Sequence, residues 1–226
     1  MARVRAATAQ ARRLPAFSAP RSPLSAPRSP LPASSAALLA RFSDELTALG
    51  GTFSIVRADQ AAQAILAILE EKNAARLLAW SPESLPAPGL YEILRRAGIT
   101  VFGPMVSGND GEAGLADRAA AEVGLTGCEA ALAETGSLVM RAAPGRGRLA
   151  SLLPPVHIAL LRPEQIFPSL QAYLLHTRQN GATGALFGES SNLTLITGPS
   201  RTADIEMTLT IGVHGPGELR VLCLTD

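Results

Sequence analysis

Two short segments near the C-terminus concentrate the side chains that could do chemistry. Gly198-Pro199-Ser200-Arg201-Thr202-Ala203-Asp204-Ile205-Glu206 carries hydroxyls, a guanidinium and two carboxylates. His214-Gly215-Pro216-Gly217 adds an imidazole after one apolar stretch, Met207 to Val213. Free N–H groups at a helix start, a Ser or Thr hydroxyl and an Arg together bind phosphate or carboxylate. Gly198, Ser200, Arg201 and Thr202 therefore read as a turn into a helix that cradles a small anion. Asp204 and Glu206 fall in the first turn of that helix, where they offset its dipole. Turned into a cleft, they would instead suit a metal or a ribose hydroxyl. The structural alternative is a plain N-cap with dipole-matching acids.

His214, a candidate catalytic residue, then marks the exit from the same helix. Nine to eleven helical residues would hold it roughly 14–16 Å from Ser200. On this reading His214 faces a different part of the cleft or reaches a partner subunit. Glu134, in Ala133-Glu134-Thr135-Gly136 between two short apolar runs, is a candidate catalytic carboxylate at a strand end. The alternative is a hairpin corner with Gly136 in the left-handed region. His157 follows Pro154-Pro155 in an apolar strand and reads as a hydrogen-bonded core histidine. Arg146 and Arg148, in a glycine-rich loop, read either as a cationic lid or as a solvated loop.

The elements that must position these groups follow from periodicity. Helices are expected over Ser35 to Leu49, Ala58 to Asn73, Leu90 to Ala97, Leu115 to Glu122 and Pro163 to Arg178. Strands are expected at Thr52 to Val56, Arg76 to Trp80, Ile99 to Phe102, Glu129 to Ala133, Ser137 to Arg141, Val156 to Leu161, Leu193 to Thr197 and Leu219 to Leu224. With the 198–213 helix this makes seven or eight strands and about six helices. Helical crossovers between short apolar runs define an α/β chain with a mostly parallel open sheet and helices on both faces.

Bulk properties exclude several classes. The chain has 226 residues and 47% hydrophobic side chains, enough for one well-buried α/β domain. Net charge is +1, but seven Arg and no acid lie in the first 41 residues, so residues 42–226 carry a net −6. A mildly acidic domain argues against nucleic-acid binding. No apolar run reaches the roughly 18–20 residues of a membrane span. The two cysteines, Cys128 and Cys223, form no Cys-x-x-Cys motif, and the three histidines form no zinc motif. With no dinucleotide Gly-x-Gly-x-x-Gly loop either, no metal and no cofactor is expected on this chain. Residues 1–34, rich in Ala, Pro, Ser and Arg, are expected to be a disordered tail, with residues 35–226 the single domain. The tail's composition also suits an organelle transit peptide.

Several segments in one order resemble the lactate-utilisation (LUD) domain family, and within it the protein C subgroup. They are Val123-Gly-Leu-Thr-Gly-Cys128, Ala133-Glu-Thr-Gly-Ser-Leu-Val139, Gly147-Arg-Leu-Ala-Ser-Leu-Leu-Pro-Pro-Val-His-Ile158, the Gly198–Glu206 segment and Gly212-Val-His-Gly-Pro216. The resemblance implies a fold like that of ribose-5-phosphate isomerases, coenzyme A transferases and formyltetrahydrofolate cyclo-ligases. It implies a role in oxidising L-lactate to pyruvate, beside an iron–sulfur protein and a Cys-rich protein; the two cysteines fit a reduced compartment, and the cytoplasm is the expected location. It supplies no catalytic residue set, and it leaves a homo-oligomer open. Three functions stay in view: an enzyme subunit of a lactate-oxidising assembly that binds a small anionic ligand, a non-catalytic module that positions redox partners, and a stand-alone acyl or phosphosugar enzyme.

Overall fold

Six consecutive residues organise the molecule. Val156–Leu161 forms strand β7, and all six of its side chains are buried. A continuous apolar run of this kind suits a strand covered on both faces. The computed structural model describes residues 34–103, 111–181, 190, 192–203 and 209–226. In it β7 lies inside a six-stranded sheet, flanked by β12 (Glu218–Thr225) and β4 (Val123–Thr126). Beyond β12 stands β1 (Thr52–Arg57); beyond β4 stand β2 (Arg76–Ala79) and β3 (Thr100–Phe102). All five pairings are parallel.

The first half of the chain builds this sheet by strand and helix in alternation. Helix α1 (Ser35–Ala48) precedes β1, α2 (Ala61–Glu71) links β1 to β2, α3 (Leu90–Arg96) links β2 to β3, and α4 (Gly111–Ala119) links β3 to β4. Apolar residues at helical spacing turn one face of each of the first three inward: Leu38, Phe42 and Leu46; Ile65, Ile68 and Leu69; Leu90, Tyr91 and Leu94. Phe42 meets Phe53 of β1 edge to face, with ring centroids 5.6 Å apart.

Two excursions on either side of β7 create the second layer. Between β4 and β7 the chain forms β5 (Ala130–Leu132), β6 (Ser137–Ala142) and the short helix α5 (Leu149–Leu152). Between β7 and β12 it forms β8 (Ile166–Phe167), α6 (Leu170–Gln179), β9 (Asn192–Ile196), β10 (Arg201–Ala203) and β11 (Leu209–Ile211). The excursions meet in a four-stranded sheet of order β8-β5-β6-β9. The backbone of α5 lies directly on β4, so closely that a Cβ on Gly124 would stand 1.8 Å from the Ala150 carbonyl oxygen.

The parallel α/β architecture is as expected, and β7 has the expected bounds. Twelve strands are described rather than seven or eight. Strand β4 went unread because it is four residues long with a glycine inside. The helix expected over Pro163 to Arg178 is interrupted: β8 ends at Phe167, and α6 begins only after Pro168. Proline disfavours helical backbone in the residue before it, and Ser169 caps the new start, its Oγ accepting from the Ala172 N–H at 3.2 Å. The larger correction concerns the stretch after Ser200. It forms no helix at its described ends; β10 and β11 pair antiparallel, with Arg201 opposite Ile211 and Thr202 opposite Thr210. Thr202, Thr210 and Ile211 are β-branched and favour extended backbone. Asp204 and Glu206 lie outside the described residues.

Candidate functional site

A cleft of about 300 Å³ opens where both excursions return to the main sheet. Ser151 and Leu152 of α5 form one wall, and the run from Thr194 through Ser200 forms another. His157 and Leu219, the second residues of β7 and β12, line it from the sheet, and His214, Gly215 and Pro216 close it. The cleft thus lies at the amino ends of two parallel strands, whereas open α/β sheets usually bind ligands beyond the carboxyl ends. Its volume suits a small metabolite.

The hairpin changes the relation between the two chemistry-bearing segments. The Ser200 N–H donates to the Pro216 carbonyl at 2.8 Å, and the Gly212 N–H donates to the Ser200 carbonyl at 2.9 Å. A Cβ on Gly215 would stand 3.4 Å from Ser200 Cβ and 3.6 Å from its Oγ. The separation of roughly 14–16 Å expected from helical rise is therefore wrong. A hairpin brings its ends together where a helix would hold them apart. Ser200 and His214 line one cleft of one chain.

Of the residues expected at the site, Gly198, Ser200 and His214 line the cleft. Gly198 has φ +91°, and its Cα packs against Leu49 at the end of α1. Arg201 is exposed and not among the cleft residues, and its Nη2 donates to the Leu49 carbonyl, tying the hairpin to α1. Thr202 sits within the β10–β11 ladder and is not among the cleft residues. Glu134 lies in the β5–β6 turn, its N–H donating to the Pro168 carbonyl at 3.0 Å. That turn packs on α1: Gly136 has φ +61°, and a Cβ there would stand 2.5 Å from Leu46 N. A chain of hydroxyls runs from this turn to the cleft, Thr135 to Ser137 and Ser137 to Thr197, each step 2.7 Å. Arg146 is held by Glu129 at 2.9 Å and over the Trp80 ring at 5.7 Å, which makes it structural rather than a lid. Arg148 is exposed and lines a small recess beside the cleft.

His157 is the group whose place at the site its sequence context did not reveal. It is buried and hydrogen-bonded, as a core histidine should be: Nε2 stands 2.8 Å from Oγ1 of the buried Thr126. Its Nδ1 is buried and has no hydrogen-bond partner among the described residues, and the residue lines the cleft. Burial lowers the imidazole from its ordinary 6.5 to about 4, so it is neutral at pH 7. The available signal was a lone polar residue in an otherwise apolar strand. No Asp or Glu lines the cleft among the described residues. Hydroxyls and imidazoles without a carboxylate can hold a carboxylate, a carbonyl or a phosphate oxygen, and would hold a cation poorly.

The two cysteines are buried and free. Burial raises the Cys128 thiol far above its usual range and pushes Cys223 up to about 11. Neither is a ready thiolate. Among the described residues no group of three or more His, Cys, Asp or Glu is arranged to hold a metal ion. No helix among them is long and apolar enough to cross a membrane.

A sequence profile of the LUD domain matches residues 39–224. The chain belongs to the LUD domain family. This LUD domain is 31% identical over 183 residues to a lactate utilization protein C from Halalkalibacterium halodurans, covering 81% of this chain and 77% of the relative. A protein of the same name from Deinococcus radiodurans is 32% identical over 190 residues, covering 84% of this chain and 80% of that one. The fold is similar to a crystal structure of a DUF162 family protein from Deinococcus radiodurans. The TM-score is 0.60 at 27% identity, over 86% of this chain and all of the other.

Proposed function

We propose that this LUD domain is a subunit of an L-lactate-oxidising assembly and that its cleft binds a small anion of the hydroxy- or keto-carboxylate class. The lactate role is supported by relatives named lactate utilization protein C. The anion reading is carried by one observation: Ser200, His214 and His157 converge on a cleft with no acidic residue among its described lining. Oxidising lactate to pyruvate removes two electrons and two protons, so an acceptor is required. Both thiols of this chain are buried and protonated at neutral pH. We assign the acceptor to partners, an iron–sulfur protein and a Cys-rich protein, acting with this chain in the cytoplasm.

The non-catalytic reading, a module that positions redox partners, is favoured by a second observation. Leu152, Leu195 and Val213 are 45%, 45% and 53% exposed at or beside the cleft. Apolar side chains exposed around a cleft suit a protein partner.

Deleting the gene should abolish growth on L-lactate and leave growth on glucose unchanged. A wild-type copy should restore growth, and a copy carrying Ser200→Ala with His214→Ala should not. Undiminished growth on lactate after deletion contradicts the proposal. Residues 35–226 are the proposed folding unit, so removing residues 1–34 should leave the melting temperature unchanged within error. A drop of more than a few degrees contradicts that boundary.

A further inference from the structure

We propose that the recess beside the cleft is a second anion subsite, where Arg141, Arg146 and Arg148 receive a carboxylate or phosphate at the far end of the ligand held in the cleft. The proposal rests on the reading of the cleft as an anion site. It narrows the ligand to hydroxy or keto acids that carry a second anionic group.

The argument begins with charge. Residues 42–226 hold 13 basic side chains against 19 acidic ones, yet three of the 13 line this one recess. No Asp or Glu lines it among the described residues. Glu129 offsets one of the three charges: its Oε2 accepts from Arg141 Nε at 3.0 Å and from Arg146 Nη1 at 2.9 Å. A single carboxylate oxygen thus serves two guanidiniums whose side chains are only 18% and 27% exposed. The Arg148 guanidinium makes no hydrogen bond or ion pair among the described residues. Two positive charges are left unmatched, and every guanidinium keeps N–H donors to spare. A cation partly withdrawn from water gains from an anion that replaces the lost hydration.

The loop that carries Arg146 and Arg148 is already fixed. The Ser81 N–H donates to the Gly145 carbonyl at 2.9 Å, and Trp80 Nε1 donates to the Gly147 carbonyl at 3.1 Å. A ligand therefore meets a site that needs little ordering. Size decides what kind of ligand this is. The recess holds about 20 Å³, little more than one water-sized group. It takes the oxygens of one anionic group, and the rest of the molecule must lie elsewhere. The cleft of about 300 Å³ is the neighbouring space, since Ser151, Leu152 and Thr194 line both. Leu152 is 45% exposed, so it stands at a rim between the two and does not seal one from the other. A three-carbon monoacid in the cleft would leave the arginines unmet; an acid with a second anionic group would satisfy both ends.

Calorimetric titration of the full chain with matched pairs of acids tests this. L-Malate is L-lactate with a carboxylate on the methyl carbon, and 3-phospho-D-glycerate adds a phosphate to D-glycerate. At least one doubly anionic acid should bind about tenfold or more tighter than its partner, the scale of a charge-assisted hydrogen bond. The pair that shows the gain tells whether carboxylate or phosphate is preferred. Arg148→Ala should remove the gain, leave the affinity for the monoacid unchanged and keep the melting temperature of wild type. Arg148→Glu should make the doubly anionic acid the weaker binder of its pair. A gain in neither pair overturns the proposal, and so does a gain that survives Arg148→Glu. If the monoacids bind and only the gain is missing, the cleft reading stands without the second subsite. If Arg148→Ala removes the gain while Ser200→Ala with His214→Ala changes no affinity, the cleft reading falls, and with it the proposed span from cleft to recess.

Discussion

Gly124→Ala is expected to destabilise the domain by about 3 kcal/mol or more, and to leave little folded protein. The added methyl would stand 1.8 Å from the Ala150 carbonyl oxygen and 3.0 Å from its carbon. Both atoms belong to the backbone of α5, which cannot swing aside as a side chain would. Moving α5 also displaces Ser151 and Leu152, so the cleft should be lost with the fold. Gly98→Ala is the control. Gly98 has φ +87°, but a methyl added there would find nothing within 4 Å. Only the left-handed backbone opposes that change, at about 1 kcal/mol. Urea unfolding of the two variants checks the contrast. A Gly124→Ala midpoint equal to or above that of Gly98→Ala contradicts the close approach of α5 to β4.

Stability should also depend on pH through His157. Its folded value of about 4 lies below the ordinary 6.5 because the site is buried. Between these two values the unfolded chain binds a proton that the folded chain refuses. Stability is therefore full above about pH 6.5 and falls as pH drops toward 4, by up to about 3 kcal/mol. Glu71 acts in a lower window: Arg220 first and Lys72 second hold its carboxylate down at about 2, so its contribution fades only as pH falls below 4.5. Comparing wild type with His157→Gln between about pH 7 and pH 5 isolates the histidine. The variant should show the shallower loss of urea midpoint across that range. Equal slopes in the two proteins contradict a buried, neutral His157.

The parallel sheet was legible because its inner strands are short apolar runs between helical periods, and β7 is the clearest of them. Strand β4 was not, because Gly124 weakens a strand signal for a reason visible only in three dimensions, the α5 backbone lying on it. The hairpin was misread because Ser200 followed by Asp204 and Glu206 imitates a capped helix start. The alternation of β-branched residues around it, Thr202 and then Thr210 and Ile211, was the better guide. That single misreading carried the error about His214, since the distance between chain ends depends on whether helix or hairpin joins them. His157 was read correctly as buried and bonded. Its second nitrogen could not be placed, because the neighbour that lines the cleft beside it comes from a strand far along the chain, at Leu219.

Calorimetric titration of the purified full chain with pyruvate, L-lactate and phosphate tests the central claim most directly. Wild type should bind at least one of them at a single site. Ser200→Ala and His214→Ala should each weaken that binding by about 1.5–3 kcal/mol, the scale of a hydrogen bond to a charged group, with melting temperatures close to wild type. Arg201→Ala should bind as wild type does, because Arg201 is engaged with Leu49. No detectable binding to wild type, or a loss with Arg201→Ala that exceeds the loss with Ser200→Ala and His214→Ala, contradicts the account.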